Sequence, residues 1–151
     1  MRSYREHLRV PVSYWLLAVP SIVILGAELY AGFGGFIPPL IYAVFTAVVA
    51  GFLLSWGGTS IEVANGTLRA GHATLLLRQV GDVVPLDEKQ ATLLRGPRAD
   101  PAAHLMLRPY LKRAVYIALA DPAGGVPYWL VATRRPAELA SAIERSRQTV
   151  G

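Results

Sequence analysis

The chain has 151 residues, of which 53% are hydrophobic and 17% are charged, and its mean hydropathy is +0.38. A soluble domain carries about a quarter of its residues as charges, so this composition argues against a purely soluble protein, a disordered chain or a coiled coil. The sequence contains no cysteine, which excludes a domain built on disulfides or on cysteine-ligated metal.

The charge is distributed unevenly along the chain. Residues 1–56 hold three arginines and two glutamates, a net +1, and residues 57–151 hold twelve basic and eight acidic residues, a net +4. A pI near 9.9 suits a protein beside an anionic surface, for which the inner leaflet of a membrane is the first candidate. No basic stripe interleaved with aromatic residues is present, so nucleic acid is not expected as a partner.

Two apolar stretches predict a transmembrane hairpin. They run from Val12 to Phe36 and from Ile37 to Trp56, and a helix needs roughly 20 apolar residues to cross a bilayer. A cluster of glycine and proline residues separates them, through which neither helix would continue easily. A cleaved signal peptide is the alternative, but the apolar tract is too long and a second one follows directly.

Flanking residues predict the orientation of this hairpin. Arg2, Arg5 and Arg9 precede the first stretch, the connecting loop carries no base, and basic residues return after the second stretch. The positive-inside rule therefore predicts a multi-pass plasma-membrane protein with both termini in the cytoplasm. Trp15 and Trp56 would lie at the inner interface, where arginines also contact lipid headgroups. Tyr30, Phe33 and Phe36 would mark the outer interface.

Glu28 is the only acidic or basic residue between Val10 and Ile61. A charge within a membrane span is a candidate for function by default. The residue lies near the outer end of its helix, however, where its side chain can reach the interface. Since no oppositely charged residue accompanies it, an interfacial position is favoured over a role in transport.

The remainder of the chain predicts a small α+β domain. Alternating apolar residues and the turn at Asn65–Gly66 indicate a β-hairpin, and Asp87 followed by Gln90 indicates a capped helix. Further predicted elements are strands at 73–77, 80–86, 104–108, 115–120 and 128–133, and a helix that begins at Pro136. The expected organisation is a basic flank (1–11), a transmembrane hairpin (12–56) and a cytoplasmic antiparallel sheet or half-barrel capped by a C-terminal helix (57–151).

Several segments resemble a known family. They are YREHLRVPVSYWLL (4–17), RGPRADP (95–101), LMLRPY (105–110) and PYWLVATRRPAELASAI (127–143). The chain is similar to actinobacterial membrane proteins grouped as domain of unknown function 3093, a resemblance that implies a plasma-membrane protein and brings no activity. A last strand followed by Thr-Arg-Arg-Pro and a helix is also similar to bacterial pleckstrin-homology-like domains, a likeness of architecture alone.

The sequence contains none of the motifs for phosphate-binding loops, dinucleotide binding, serine hydrolysis or zinc proteolysis. We therefore expect no enzymatic activity, no catalytic residue, no cofactor and no metal site. The carboxylates in predicted turns and caps, such as Asp87 and Asp100, are expected to accept hydrogen bonds from backbone amides.

Basic side chains form the most distinctive cluster. Arg108, Lys112 and Arg113 surround Pro109–Tyr110, and Arg134 and Arg135 precede a helix start, where backbone amides favour an anion. One interpretation is contact with lipid headgroups or an acidic partner. The other is a solvated turn in which the arginines pair with local carboxylates such as Asp121 and Glu138.

These observations leave three hypotheses. The first is a non-enzymatic, membrane-anchored interaction module that binds an unidentified membrane or cytoplasmic protein at the inner leaflet. The second is a module that binds anionic phospholipid headgroups through its arginine clusters. The third is a transporter-like or enzymatic role of Glu28 in a homo-oligomer.

Overall fold

The structure, a computed structural model, describes residues 4–33, 35, 37–120 and 125–150. In these ranges the α-helices are α1 (Val12–Gly32), α2 (Ile37–Gly57), α3 (Glu88–Arg95) and α4 (Pro136–Val150). The strands are β1 (Tyr4–Leu8), β2 (Thr59–Ala64), β3 (Thr67–Ala70), β4 (Ala73–Leu76), β5 (Val80–Leu86), β6 (His104–Met106), β7 (Ala114–Leu119) and β8 (Tyr128–Ala132). A 3-10 turn, Leu77–Gln79, joins β4 to β5.

The chain forms two compact units. The first, here called the strand domain, consists of residues 1–8 together with 59–151, and the second, the helical hairpin, consists of residues 9–58. The hairpin is thus an insertion between two parts of one domain. Residues 1–11 were expected to form a separate basic flank, whereas Tyr4–Leu8 forms a strand of the domain.

The helical hairpin consists of two helices of 21 residues each, long and apolar enough to cross a membrane. Pro38 and Pro39 lie in the first turn of α2, where the missing amide hydrogens of proline cost no helical bond. Gly26 lets the helices approach closely, because a Cβ atom at this position would overlap the ring of Tyr42. Pro20 lies within α1.

The first sheet of the strand domain is antiparallel, with the strand order β1-β2-β3-β4. The predicted turn between β2 and β3 is confirmed, since Asn65 and Gly66 have φ angles of 51° and 71°, the positive values that a two-residue hairpin turn needs. On the other side of β2, β1 pairs from Tyr4↔Val63 to Leu8↔Thr59. The sheet therefore joins the segments that precede and follow the helical hairpin.

The second sheet is mixed, with the order β5-β7-β8-β6. The expectation of a wholly antiparallel sheet is wrong here, because β6 pairs with β8 in parallel, from His104↔Trp129 to Met106↔Val131. The reason lies in the order of pairing. Strand β8 lies between β7 and β6 and is antiparallel to β7. Because β6 and β7 run in opposite directions, β6 runs in the same direction as β8.

Both sheets and α4 share one hydrophobic core. Strand β8 is buried on both faces: Trp129 and Val131 belong to the shared core, and Tyr128 and Leu130 to a second cluster that includes Ala91 of α3. The predicted capping box of α3 is present, since Asp87 and Gln90 bond each other's backbone amides. The predicted final helix is also confirmed, and its Leu139 and Ile143 are fully buried.

Candidate functional site

A hydrogen-bond network lies where β8 leads into α4, and its centre is the carboxylate of Glu6 on β1. Glu6 Oε2 accepts hydrogen bonds from Thr133 Oγ1 at 2.5 Å and from Tyr4 Oη at 2.9 Å. Glu6 Oε1 accepts a third from the backbone amide of Arg134 at 3.1 Å. Thr133 is fully buried and its Oγ1 also accepts from the Arg135 amide at 3.0 Å. The backbone at this helix start, where sequence analysis expected an anion, therefore binds a carboxylate of the chain itself.

The phenol of Tyr4 is sensitive to this environment. Burial raises its pKa above the ordinary value of 10.0, and the hydrogen bond to Glu6 and the negative charge of Glu6 raise it further. The neutral phenol is therefore the stable form of Tyr4, and it donates its hydrogen bond to Glu6.

A second group of polar residues surrounds Arg108, just after β6. Arg108 Nη2 donates to Oγ1 of Thr59, the first residue of β2. Its Nε is buried without a hydrogen-bond acceptor among the described residues. Burial raises the pKa of Tyr110, and the positive charges of Arg108 and Arg134 oppose that shift. The phenol of Tyr110 therefore lies within electrostatic reach of two arginines that are distant in sequence.

The five basic residues singled out from the sequence divide into two sets. Lys112 Nζ contacts Glu88 Oε1 at 3.0 Å, and Arg135 Nη1 contacts Glu138 Oε2 at 3.2 Å, both at the surface. Arg113 is exposed, and its carbonyl oxygen accepts from the Thr133 amide. The end of the domain that holds Thr59, Tyr110 and Thr133 is here called the basic end. Arg108 contacts Thr59 there and Arg113 contacts Thr133, and Arg134 and Arg135 directly follow Thr133.

The carboxylate Asp100 has the structural role expected of it, since its Oδ1 accepts from the Ala102 amide at 2.8 Å. Over the described ranges, no three His, Cys, Asp or Glu side chains come together as metal ligands. His104 instead stacks on the ring of Trp129, with ring centroids 4.2 Å apart.

The residues expected at the membrane interface have varied surroundings. Arg5 is paired with Glu62 across β1 and β2 at 2.9 Å, and Arg9 and Trp15 line a cleft of about 340 Å³ within the helical hairpin. The ring of Trp56 packs against Phe52, with centroids 4.5 Å apart.

Glu28 is exposed. It lies two positions after Gly26, about 200° around α1 from the residue that meets α2. Predictions for Arg2, Phe36 and Asp121 concern positions outside the described residues.

Sequence reasoning missed the residues on which both polar groups depend. Glu6, Thr133 and Thr59 carry no motif, and their partners are 127 and 49 positions away. The sequence carries only a weak signal for β1: Tyr4 and Leu8 are apolar, but the charged Glu6 between them interrupts the apolar–polar alternation that is typical of a strand.

Comparison with known families gives a match to the family described as "Protein of unknown function (DUF3093)", over residues 3–143. This match confirms the part of the resemblance that concerns domain of unknown function 3093. Neither curated proteins nor solved structures give a match.

Proposed function

Because the chain belongs to this family of proteins of unknown function, its function has to be argued from its own residues. We propose that it is a non-enzymatic, membrane-anchored interaction module. In this proposal the helical hairpin spans the plasma membrane, and the strand domain presents its surface to a protein partner at the inner leaflet.

The pairing of β1 with β2 is the observation that carries the proposal. The chain enters the helical hairpin directly after Leu8 and returns at Thr59, and these two residues are cross-strand partners. A chain that leaves and re-enters the same sheet must cross a membrane an even number of times. Two helices of sufficient length meet that requirement.

The orientation of the hairpin follows from its flanks. Arg5 and Arg9 precede α1, whereas the segment between the helices, residues 33–36, contains no basic residue. The positive-inside rule therefore supports a cytoplasmic location for both termini and for the strand domain.

A non-enzymatic role is supported by the use of the carboxylates in the strand domain. Glu6, Asp87 and Asp100 accept hydrogen bonds from backbone amides, and Glu62, Glu88 and Glu138 pair with basic side chains. These groups stabilise the fold.

The proposal also includes a pleckstrin-homology-like architecture for the strand domain and an actinobacterial origin for the protein. A sheet of strands closed by a C-terminal helix that begins at Pro136 supports the pleckstrin-homology-like architecture, in which the closing helix caps a half-barrel. The segments that carry the family resemblance support an actinobacterial origin.

Accessibility of cysteines introduced into the full chain tests the anchoring, because the native sequence has none. We expect Gly35→Cys to react with a membrane-impermeant maleimide in intact cells, and Ser141→Cys on α4 to react only after permeabilisation. Reaction of both in intact cells, or extraction of the protein by alkaline carbonate, would contradict the proposal.

Purification in mild detergent tests the interaction. We expect a near-stoichiometric protein partner that is reduced by Arg113→Glu at the basic end and retained by Arg69→Glu on β3. Equal recovery with both variants would place the interaction on another surface.

Binding of anionic lipid headgroups is the second candidate, favoured by the arginines of the basic end. Arg113 and Arg134 are exposed in the same region as Arg108, which is itself half-buried. Each basic residue near an anionic surface contributes about 1 kcal/mol of attraction. The phosphate of a headgroup would therefore find several donors.

Hydrogen exchange in nanodiscs distinguishes this candidate from the first. Headgroup binding predicts slower exchange at residues 107–113 in anionic than in zwitterionic nanodiscs, reversed by added salt. Arg113→Gln combined with Arg134→Gln should abolish the difference, and Arg69→Gln combined with Arg98→Gln should keep it. Equal exchange in both lipids would eliminate the headgroup candidate.

A role of Glu28 in a homo-oligomer is supported only by its exposed position on α1, away from α2. This hypothesis predicts that Glu28→Gln alters proton or solute flux in membrane vesicles. Unchanged flux and unchanged growth would remove it.

A further inference from the structure

Residues that precede the helical hairpin complete the strand domain. Strand β1 supplies five consecutive pairs to the edge of β2, from Tyr4↔Val63 to Leu8↔Thr59. The side chain of Leu8 is fully buried in the shared core. Without β1, the edge of β2 would lose its hydrogen-bond partners and the core would lose a large side chain.

The same strand is also tied to the opposite end of the sequence. Glu6 accepts hydrogen bonds from Thr133 and from the amide of Arg134, at the start of α4. Thr133 is fully buried, so its hydroxyl would lose its acceptor if β1 were absent, and an unsatisfied buried hydroxyl destabilises a fold. The last strand and the last helix therefore depend on the first eight residues.

Both ties depend on where the chain places β1. Strands β1 and β2 are separated by residues 9–58, which contain both candidate spans. If one helix crossed the membrane and the other did not, the two strands would be on opposite faces of the bilayer. They could pair only when both helices have crossed or when neither has.

We propose that β1 is a strap that lets the strand domain be completed only when both helices or neither of them cross the membrane, so that a chain with a single crossing leaves the domain incomplete. The strap distinguishes a correctly inserted chain from one with a single crossing, because only the former buries Leu8 and satisfies Thr133. This inference rests on the proposed membrane anchoring. A singly inserted chain would present an incomplete domain to cellular proteases.

A disulfide between facing residues reports the docked strap. Arg5 and Glu62 are register partners on β1 and β2, and the chain has no native cysteine. In native membranes, Arg5→Cys combined with Glu62→Cys should crosslink on mild oxidation. With a protease site inserted after Gly35, the N-terminal fragment should stay attached to the remainder until a reductant is added.

Blocking the second helix then tests the condition. Val44→Arg combined with Val48→Arg should prevent insertion of α2, because arginine is strongly disfavoured at the centre of a span; Val44→Leu combined with Val48→Leu is the matched control. We expect the double arginine variant to form no crosslink and its strand domain to be digested at least tenfold faster than that of the parent protein. Because α1 is still inserted, the variant should remain resistant to carbonate extraction. The double leucine variant should form the crosslink and resist the protease as the parent protein does.

A crosslinked, protease-resistant domain in the double arginine variant, with α1 still inserted, would overturn the strap proposal and leave the anchoring intact. Extraction of the parent protein by carbonate would instead overturn the anchoring, and the strap proposal with it. As a second readout in inserted protein, Glu6→Gln should accelerate digestion of the domain severalfold, whereas Glu144→Gln on the exposed face of α4 should not. Equal digestion of the two would count against the strap.

Discussion

No residue of α1, all of whose positions the structure describes, is buried, whereas all five residues of β8 are. The helical hairpin exposes large apolar side chains along both helices, and the strand domain packs similar side chains into a core shared by two sheets and a helix. The strand domain is therefore stabilised by its own hydrophobic core, whereas the helical hairpin has the apolar surface of a structure that lies in an apolar solvent. The difference explains how a chain that is 53% hydrophobic contains a domain of ordinary composition.

The largest expected effect comes from truncating matched leucines in the two units. Leu130 on β8 is fully buried and Leu16 on α1 is 69% exposed. We expect Leu130→Ala to lower the unfolding free energy of the strand domain by about 2–5 kcal/mol, and Leu16→Ala to change it by less than about 0.5 kcal/mol. Proteolysis of the detergent-solubilised full chain across a urea series measures both free energies. Equal urea midpoints for the two variants would contradict the difference in packing between the strand domain and the helical hairpin.

The network around Glu6 gives the next largest effect. Glu6→Ala removes the acceptor of the buried Thr133 hydroxyl, and we expect it to destabilise the strand domain by about 1–3 kcal/mol. Glu144→Ala, at an exposed position of α4, should cost less than about 0.5 kcal/mol. The same urea series measures the difference, and a Glu6 variant as stable as the Glu144 variant would show that the network contributes little.

Within the helical hairpin, two glycines form a matched pair. A Cβ atom on Gly26 would overlap the ring of Tyr42, and one on Gly51 would meet nothing within 4 Å. We expect Gly26→Ala to weaken helix–helix packing by about 1–3 kcal/mol, whereas Gly51→Ala should leave it unchanged. Titration from mild detergent into SDS, followed by excimer fluorescence of pyrene labels at Val10→Cys and Gly57→Cys, measures the packing. If both variants lost excimer fluorescence at the same SDS concentration, the predicted role of Gly26 in helix packing would be wrong.

The smallest effect concerns pH and the pair between β1 and β2. The hydrogen bond and charge of Arg5 lower the pKa of Glu62 below its ordinary value of 4.5. The ionised carboxylate therefore stabilises the folded strand above pH 4.5, and this contribution is lost as the pH falls through the lowered pKa. Hydrogen exchange of β1 should rise slightly in that acidic window. Glu62→Gln should reduce the change, and a response unaltered by that substitution would assign the pH dependence to other groups.

Local patterns predicted much of the strand domain. The Asn65–Gly66 turn, the Asp87 cap and the helix beginning at Pro136 each depend on residues close in sequence, and each is present. Their physical causes act over a few residues: positive φ, side-chain capping and the fixed φ of proline. Such features can be predicted without knowledge of the tertiary fold.

Features that depend on distant partners were not predicted. Tyr4–Leu8 was not predicted as a strand, because Glu6 is charged and its partner Thr133 and the paired strand β2 are distant in sequence. The parallel pairing of β6 with β8 arises because β8, the last strand along the chain, lies between β6 and β7. For the candidate site, the sequence identified the arginines, but only the fold shows that Glu6 accepts a hydrogen bond from the Arg134 amide just before α4.

The register of β1 against β2 also suggests how to separate the two units. Leu8 and Thr59 face each other as the last and first residues of antiparallel strands, which is the arrangement at the base of a two-residue turn. Replacing residues 9–58 by Asn-Gly would close this gap with an ordinary β-hairpin. The resulting chain would keep β1, and it would give a soluble version of the domain for crystallisation or NMR spectroscopy, which a fragment beginning at Thr59 would not.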